Sequence, residues 1–543
     1  MFLLFLLLEW WCTAATTTKG GRGGNWELLL NNSGVVAMHM ALTHRNTVLI
    51  FDQTSAGPSR YRLHRRCSRH RPVTSCWAHS VEYDIASNAV RPLVLRTDTW
   101  CSSGAFLADG TLAQTGGHGE GSRKIRYYRP CSDRRCGWEE SNASLANERW
   151  YATNQVLPEK DRVFIVGGLK VFTYEFMPKS SSSESAFELP FLRQTRSRRE
   201  GGGNLYPFVH LSTDGNLFIF ANRDSILFNY RRNRVIKHFP TIPGDGGRNY
   251  PSTGSSVLLP LEYKDGFRKA EVMVCGGAAA GAFRAAKHHH YLKALSSCGR
   301  LVVTADNPKW AMEEMPGPRL MSDMVILPIG EIIIINGASH GCAGWQKAIN
   351  PAYHPFLYKP KKKVGTRFSV LRPSRIARMY HSSAIVLPDG RILVAGSNPY
   401  KRYLFNGGAR YPTELRVEAF TPHYMGKFYD EKRVSNVSIE CNSGSNGIRY
   451  GEEFNVMFAI ARRSEEIGFH VYAPPFATHS ISMSQRMLKL GYRELVREVG
   501  GTTHSAVVLA PPSPAVAPAG FYLLTVVNGG IPSKSEWVRF VHG

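Results

Sequence analysis

One unit recurs seven times along this chain: an apolar strand, a turn carrying Asp-Gly or its substitute, a second apolar strand, then often Gly-Gly. It reads AMHMALTHRNTVLIFD from Ala37, SGAFLADGTLAQTGG from Ser103, NQVLPEKDRVFIVGG from Asn154 and PFVHLSTDGNLFIFAN from Pro207. It returns as SVLLPLEYKDGFRKAEVMVCGG from Ser256, DMVILPIGEIIIING from Asp323 and SAIVLPDGRILVAGS from Ser383. An Asp-Gly turn suits a tight hairpin, and glycines after the second strand let neighbouring backbones approach closely.

The copies lie roughly 50–65 residues apart, the spacing of a kelch-type propeller blade with generous loops. Seven blades close a ring and leave few exposed sheet edges. After Pro412 the pattern changes: VEAFTPHY is followed by alternating strands such as RVSNVSIE, EFNVMFAI and GFYLLTVVN, which predict a separate sandwich. Charged residues are only 20%, while 50 glycines and 31 prolines favour short strands and turns over long helices. The expected fold is all-β: a seven-bladed kelch-like β-propeller over 26–412, followed by an immunoglobulin-like β-sandwich over 418–543.

The first fifteen residues, MFLLFLLLEWWCTAA, combine a short apolar run with small residues at Ala14 and Ala15, as a secretory leader does, although Glu9 interrupts the run and no basic residue precedes it. No stretch approaches the roughly 20 apolar residues of a membrane span. Sequons at Asn31, Asn142 and Asn436 fit secretion. Cys67 with Cys76, Cys131 with Cys136 and Cys275 with Cys298 form close pairs, and Cys342 and Cys441 are placed to join distant segments. With Cys12 in the leader, Cys101 is left over for another task. The net charge of +25 raises nucleic acid as a partner, but the densest runs, Arg60–Arg71, Arg196–Arg199 and Lys359–Lys363, carry no aromatic platform or nucleic-acid motif. Solvated loops on a basic surface are the plainer reading, and in an extracellular setting such a surface suits attraction to an acidic cell-wall polysaccharide or a membrane surface.

Four motifs stand in order on this frame: TWCSSGAFLADGTLAQTGG around Cys101, NERWYATNQVLP around Tyr151, ARMYHSSAIVLPDGRILVAGSNP around Tyr380 and His381, and THSISMSQRMLKL around His479. Together they resemble the copper-radical oxidases, the galactose oxidase-like family, and lie nearest its plant-type glyoxal and aldehyde oxidases. The resemblance extends through PAGFYLLTVVNGGIPS in the sandwich. It implies one copper ion held by Tyr151, His381 and His479 in equatorial positions and by Tyr380 axially, with one position open to substrate. It further implies that Cys101 is joined through sulfur to the ring of Tyr151, a Cys-Tyr radical cofactor, and that Tyr380 acts as general base. The implied reaction oxidises a small aldehyde or primary alcohol with O2, in the extracellular wall or apoplast, by a monomer, releasing hydrogen peroxide.

The residue types agree with that chemistry, because two imidazoles and phenolate oxygens make a tetragonal N,O set that favours Cu(II). Tyr380 and His381 are neighbours, so both reach one metal only where a strand bends or ends. Galactose oxidase places a tryptophan after the Gly-Gly of the crosslinked tyrosine's blade, whereas here Gly167-Gly168 leads into Leu169 and Lys170, which argues against galactose. His504 rivals His479 as the second histidine; Trp150 is placed to pack beside Tyr151; His118 and the exposed-looking run His288 to His290 receive no role. The alternative from another class is a catalytically silent kelch-like wall or glycan-binding protein, since propellers host many functions.

Overall fold

The computed structural model describes residues 23–63, 76–405, 408–426, 429–441, 447–464, 466–497 and 501–542. The leader and Cys67, and with it the expected Cys67–Cys76 pair, lie outside these. Seven four-stranded antiparallel sheets form the propeller. Their innermost strands are His39–Leu42, Ser103–Phe106, Thr153–Val156, Phe208–Leu211, Ser255–Leu258, Asp323–Ile326 and Ser382–Val386, numbered here as blades 1 to 7. Each of the seven repeats supplies the first two strands of one blade, with the turn, Asp-Gly or its substitute, between them. The apolar runs are buried on both faces, against the neighbouring blades, which is why they read as continuous rather than alternating.

Blade 7 closes the ring. Its strands Ser382–Val386, Ile392–Gly396 and Val417–Thr421 are completed by Asn25–Leu30 from the start of the propeller. The expected division at 412–418 is therefore corrected: VEAFT is the third strand of the last blade, not the opening of the sandwich, because the closing N-terminal strand needs that edge to pair with. The sandwich proper begins at Ser435–Cys441 and packs a sheet of Ser435–Cys441, Glu453–Ala459, Thr503–Leu509 and Tyr492–Arg497 against a second built around Ile467–Ala473, Gly520–Asn528 and Glu536–Val541. Leu261–Glu262 of blade 5 joins that second sheet, pairing in parallel with Arg486–Leu490.

The sandwich also sends a hairpin, Phe476–Thr478 and Ile481–Met483, through the propeller axis. Phe476–Thr478 adds to blade 1 beside His39–Leu42, and Ile481–Met483 packs on the innermost strands of blades 3, 5 and 6. The hairpin thus fills the hole that seven blades leave at their centre. Its two-residue turn is His479-Ser480, both with positive φ (45° and 70°), as a primed turn requires.

Buried arginines tie down the segments that lead into the innermost strands. Arg149, Arg248 and Arg378 each bridge the carbonyl after a blade's second strand and a carbonyl at its third: Gly167 and Thr173, Gly276 and Ser297, Gly396 and Arg416, at 2.7–3.1 Å. Arg319 bonds Asn336 and His354 in the same manner. A planar fork of donors suits two carbonyls at once. The glycines do what the sequence predicts: a Cβ on Gly116 would meet the Arg149 carbonyl oxygen of the next blade at 2.1 Å.

Cys131–Cys136 and Cys275–Cys298 are disulfides, the latter between directly opposed residues of blade 5. Cys342 is a free buried thiol, so the expected bridge to Cys441 is not made. Cys342 is enclosed with Ala278, Ala343 and Met379 in the loops of blades 5 to 7, whereas Cys441 ends a sandwich strand. Among the described residues, no helix is long and apolar enough to cross a membrane.

Candidate metal centre

Segments of six blades and the tip of the axial hairpin meet at one end of the axis. The residues that lead into successive innermost strands take a left-handed conformation: Cys101 (φ 52°), Tyr151 (68°), Tyr206 (50°), Thr253 (47°), Met321 (57°) and His381 (63°). Such a residue reverses the chain sharply, which drops each segment from the outer loops onto the axis. Neighbouring blades are stitched at these points. Tyr151 N–H donates to the Cys101 carbonyl at 3.0 Å, Tyr206 N–H to the Tyr151 carbonyl at 2.9 Å, and Met321 N–H to the Thr253 carbonyl at 2.7 Å.

The structure gathers Cys101, Tyr151, Tyr380, His381 and His479 in this space. One ligand atom each of Cys101, His381 and His479 lie within 4.8 Å of one another, all buried. The Cys101 Sγ is 3.2 Å from His479 Nε2. The rings of Tyr380 and His381 stack at 3.9 Å, and the positive φ at His381, one residue before its strand, is what lets two neighbours face the same point. His479 enters from below on the tip of the axial hairpin. Its Nδ1 is fixed by Thr478 Oγ1 at 2.7 Å, and Thr478 Oγ1 in turn lies 3.0 Å from the Met38 carbonyl. That leaves Nε2 facing the centre.

Tyr250 was not among the residues singled out, yet it links the two tyrosines that were. Tyr151 Oη donates to Tyr250 Oη at 3.3 Å, and Tyr250 and Tyr380 hydroxyls lie 2.9 Å apart. Its ring stacks on Tyr151 at 4.5 Å. A signal was present: Arg-Trp-Tyr at 149–151, Arg-Asn-Tyr at 248–250 and Arg-Met-Tyr at 378–380 are one repeated motif, each placing a tyrosine two residues after a clamping arginine. Trp150 lies 4.8 Å from Tyr151 and belongs to a cluster with Trp100, Trp345 and His118 at the mouth of the site.

The other candidates lie elsewhere. His504 stacks on Phe458 within the sandwich and bonds the Thr502 carbonyl. His288, His289 and His290 are exposed. Leu169 and Lys170 lie on the surface, with the Leu169 amide donating to the Trp150 carbonyl at 2.7 Å.

Burial pushes the Tyr151 and Tyr380 phenols well above their ordinary values, and the surrounding thiol and phenols push the same way. Burial pushes the Cys101 thiol up as well. Burial also holds His381 and His479 well below the histidine range, so both imidazoles are neutral and keep the lone pair that a metal needs. Both ring nitrogens of His381 are buried without a hydrogen-bond partner. An unsatisfied imidazole at the meeting point of a second imidazole and two phenols is a donor set waiting for a cation, and its N,O character fits Cu(II).

The comparisons with known proteins agree with this architecture. Residues 38–424 match the family model described as glyoxal oxidase N-terminus, and residues 438–540 match the galactose oxidase-like Early set domain. The chain is 43% identical to Aldehyde oxidase GLOX of Vitis pseudoreticulata, across 95% of this chain and 97% of that protein. It is 44% identical to Aldehyde oxidase GLOX1 of Arabidopsis thaliana, across 95% and 85%. In fold it is similar to a fungal alcohol oxidase solved in complex with copper, with a TM-score of 0.71 and 16% identity, covering 96% of this chain and 99% of the other. A propeller plugged by a sandwich hairpin, a buried cluster of thiol, imidazoles and phenols at its axis, and likeness along nearly the whole length lead to one conclusion: the chain belongs to the glyoxal oxidase and galactose oxidase-like family of copper-radical oxidases.

Proposed function

We propose that this enzyme oxidises small aldehydes, as their hydrates, or primary alcohols, passing the electrons to O2 to give hydrogen peroxide. The observation that carries the reading is the convergence of Tyr151, Tyr380, His381 and His479 on one buried point, with both nitrogens of His381 unpartnered. Tyr151, His381, His479 and Tyr380 would hold one copper ion. Copper(II) bound there supplies one of the two electron vacancies that the oxidation needs, and the phenol of Tyr151, bearing the Cys101 sulfur on its ring, supplies the other.

In this reading Cys101 leaves the donor set by bonding to the Tyr151 ring: a C–S bond replaces the thiol S–H and one ring C–H, O2 takes the two electrons and two protons, and the sulfur then delocalises an unpaired electron. The stitch between Cys101 and Tyr151 backbones supports that pairing. Tyr380, which a bound copper ion would hold as the phenolate against the upward push of burial, would take the hydroxyl proton of the substrate, a general-base role within reach of the same point. Tyr151, in its one-electron-oxidised form, takes the hydrogen from the substrate carbon. Tyr250 bridges both hydroxyls and holds them in register for the two transfers. The low-polarity surroundings of these groups exclude bulk water from the reacting atoms. The disulfides Cys131–Cys136 and Cys275–Cys298 among the described residues and the exposed sequon residues Asn31, Asn142 and Asn436 support an extracellular setting.

Peroxide release by purified, copper-loaded protein on a panel of glyoxal, methylglyoxal and galactose tests the proposal. Turnover of the small aldehydes above galactose is expected, given Leu169-Lys170 where galactose oxidase has its tryptophan. A preference for galactose would overturn the substrate class, and absence of peroxide with every substrate would favour a silent kelch-like protein.

A further inference from the structure

A cleft of about 710 Å³ opens between blades 5 and 6 and the sandwich. It is formed by segments that follow innermost strands, around Pro260 and Gly330, whereas the metal centre is formed by segments that precede them. The two therefore lie on opposite faces of the ring. Eight lysine and arginine side chains line the cleft against five acidic ones.

The carboxylates present are outnumbered at close range. Glu262 is shared by Lys264 at 2.7 Å, Lys361 at 3.2 Å and Lys489 at 3.7 Å, and Glu271 by Lys269 and Arg300 at 3.0 and 2.8 Å. Burial holds the Lys489 ammonium below its ordinary range, and repulsion from Lys361 adds to this. An arriving carboxylate relieves that repulsion. Lys264 and Lys361 remain largely exposed and free to turn toward a ligand. The carboxylate residues Asp265 and Glu331 also line the cleft, Glu331 paired with Lys359 at 3.2 Å and 3.7 Å from His423 Nε2. Carboxylates along the wall suit a ligand that brings hydroxyls as donors.

We propose that this cleft binds an acidic polysaccharide, a chain of uronic acid units whose carboxylates meet Lys264, Lys361 and Lys489 and whose hydroxyls meet Asp265 and Glu331. Interleaved acids and bases suit a polymer with both carboxylates and hydroxyls. They oppose a nucleic acid or an anionic membrane surface, whose closely spaced phosphates would be repelled by the interleaved carboxylates, and a concave site does not reach a flat bilayer. A polymer held on this face leaves the metal centre open on the other.

Titration calorimetry with a defined oligogalacturonate tests the proposal on the full chain. Lys264→Glu/Lys361→Glu is expected to weaken binding by about tenfold or more. The control Lys160→Glu/Lys309→Glu, with the same charge change at exposed positions outside the cleft, is expected to leave it within about twofold. Oxidase activity and thermal midpoint report that both variants fold. A fully methyl-esterified oligomer is expected not to bind. Equal loss in the two double variants would reduce the effect to net charge and overturn the site. Tighter binding to phosphatidylglycerol vesicles or to a DNA duplex than to the oligogalacturonate would overturn the ligand class.

Discussion

The amide N–H of Tyr151 donates to the carbonyl oxygen of Cys101 at 3.0 Å, across the boundary between blades 3 and 2. Both residues are left-handed, both lead into innermost strands, and both side chains turn to the axis. Fifty residues of intervening chain are spent on one blade, which returns the backbone to its starting height one step around the ring. The propeller thereby converts a repeat in sequence into a contact in space. The same stitch sets Tyr206 against Tyr151, and its hydroxyl bonds the Ser102 carbonyl at 2.9 Å, bracing the residue after Cys101.

Tyr250→Phe removes the hydroxyl that joins Tyr151 to Tyr380 while keeping the ring that stacks on Tyr151. Turnover is expected to fall by about ten- to a hundredfold with copper content and thermal midpoint unchanged. Unaltered turnover would show that the bridge is incidental.

His479→Ala removes the imidazole presented by the axial hairpin, whereas His504→Ala alters a stacked side chain inside the sandwich. Loss of copper, read by metal analysis after dialysis, is expected for the first and not for the second. The reverse result would move the second histidine ligand into the sandwich.

Asp323, on the innermost strand of blade 6, has its carboxyl raised to about 8 by burial, with Asn336 donating to one oxygen at 2.8 Å and the other oxygen unpartnered. A carboxyl whose folded pKa lies above its unfolded value stabilises the fold below the unfolded value, near pH 4, and loses that contribution as pH rises through about 8. Thermal midpoints are expected to decline over that interval, and Asp323→Asn is expected to flatten the decline. An identical slope in the variant would assign it to other groups, of which Asp52, raised to about 7 by burial, is the first.

The seven repeats were legible because each rests on local chemistry, two apolar strands about an Asp-Gly turn. That Cys101, Tyr151, Tyr380, His381 and His479 come together at the axis was legible through the motifs that carry them. Three things were not. The third strand of blade 7 is defined by pairing with Asn25–Leu30, nearly the whole propeller away in sequence, so Val417–Thr421 read as the start of the next domain. Cys342 entered a parity count that assumes every spare cysteine is bridged, but its apolar enclosure makes it a small buried hydrophobe. Tyr250 carries no distinguishing signal within its own segment; its periodicity lies in the arginine two residues before each such tyrosine, Arg149, Arg248 and Arg378, whose clamping role only the folded blades reveal.

The central claim is that Cys101 and Tyr151 become one cofactor, and peptide mass spectrometry tests it most directly. A carbon–sulfur bond offers no disulfide sulfur to thiol exchange, so reductant that opens Cys131–Cys136 and Cys275–Cys298 leaves it intact. In reduced, alkylated, copper-matured protein, the peptides bearing Cys101 and Tyr151 are expected to remain joined, lighter than their sum by about two hydrogens. Cys342 is expected to be alkylated, and Cys101→Ser to separate the peptides with loss of most activity. Full alkylation of Cys101 in an active wild-type preparation would contradict the account.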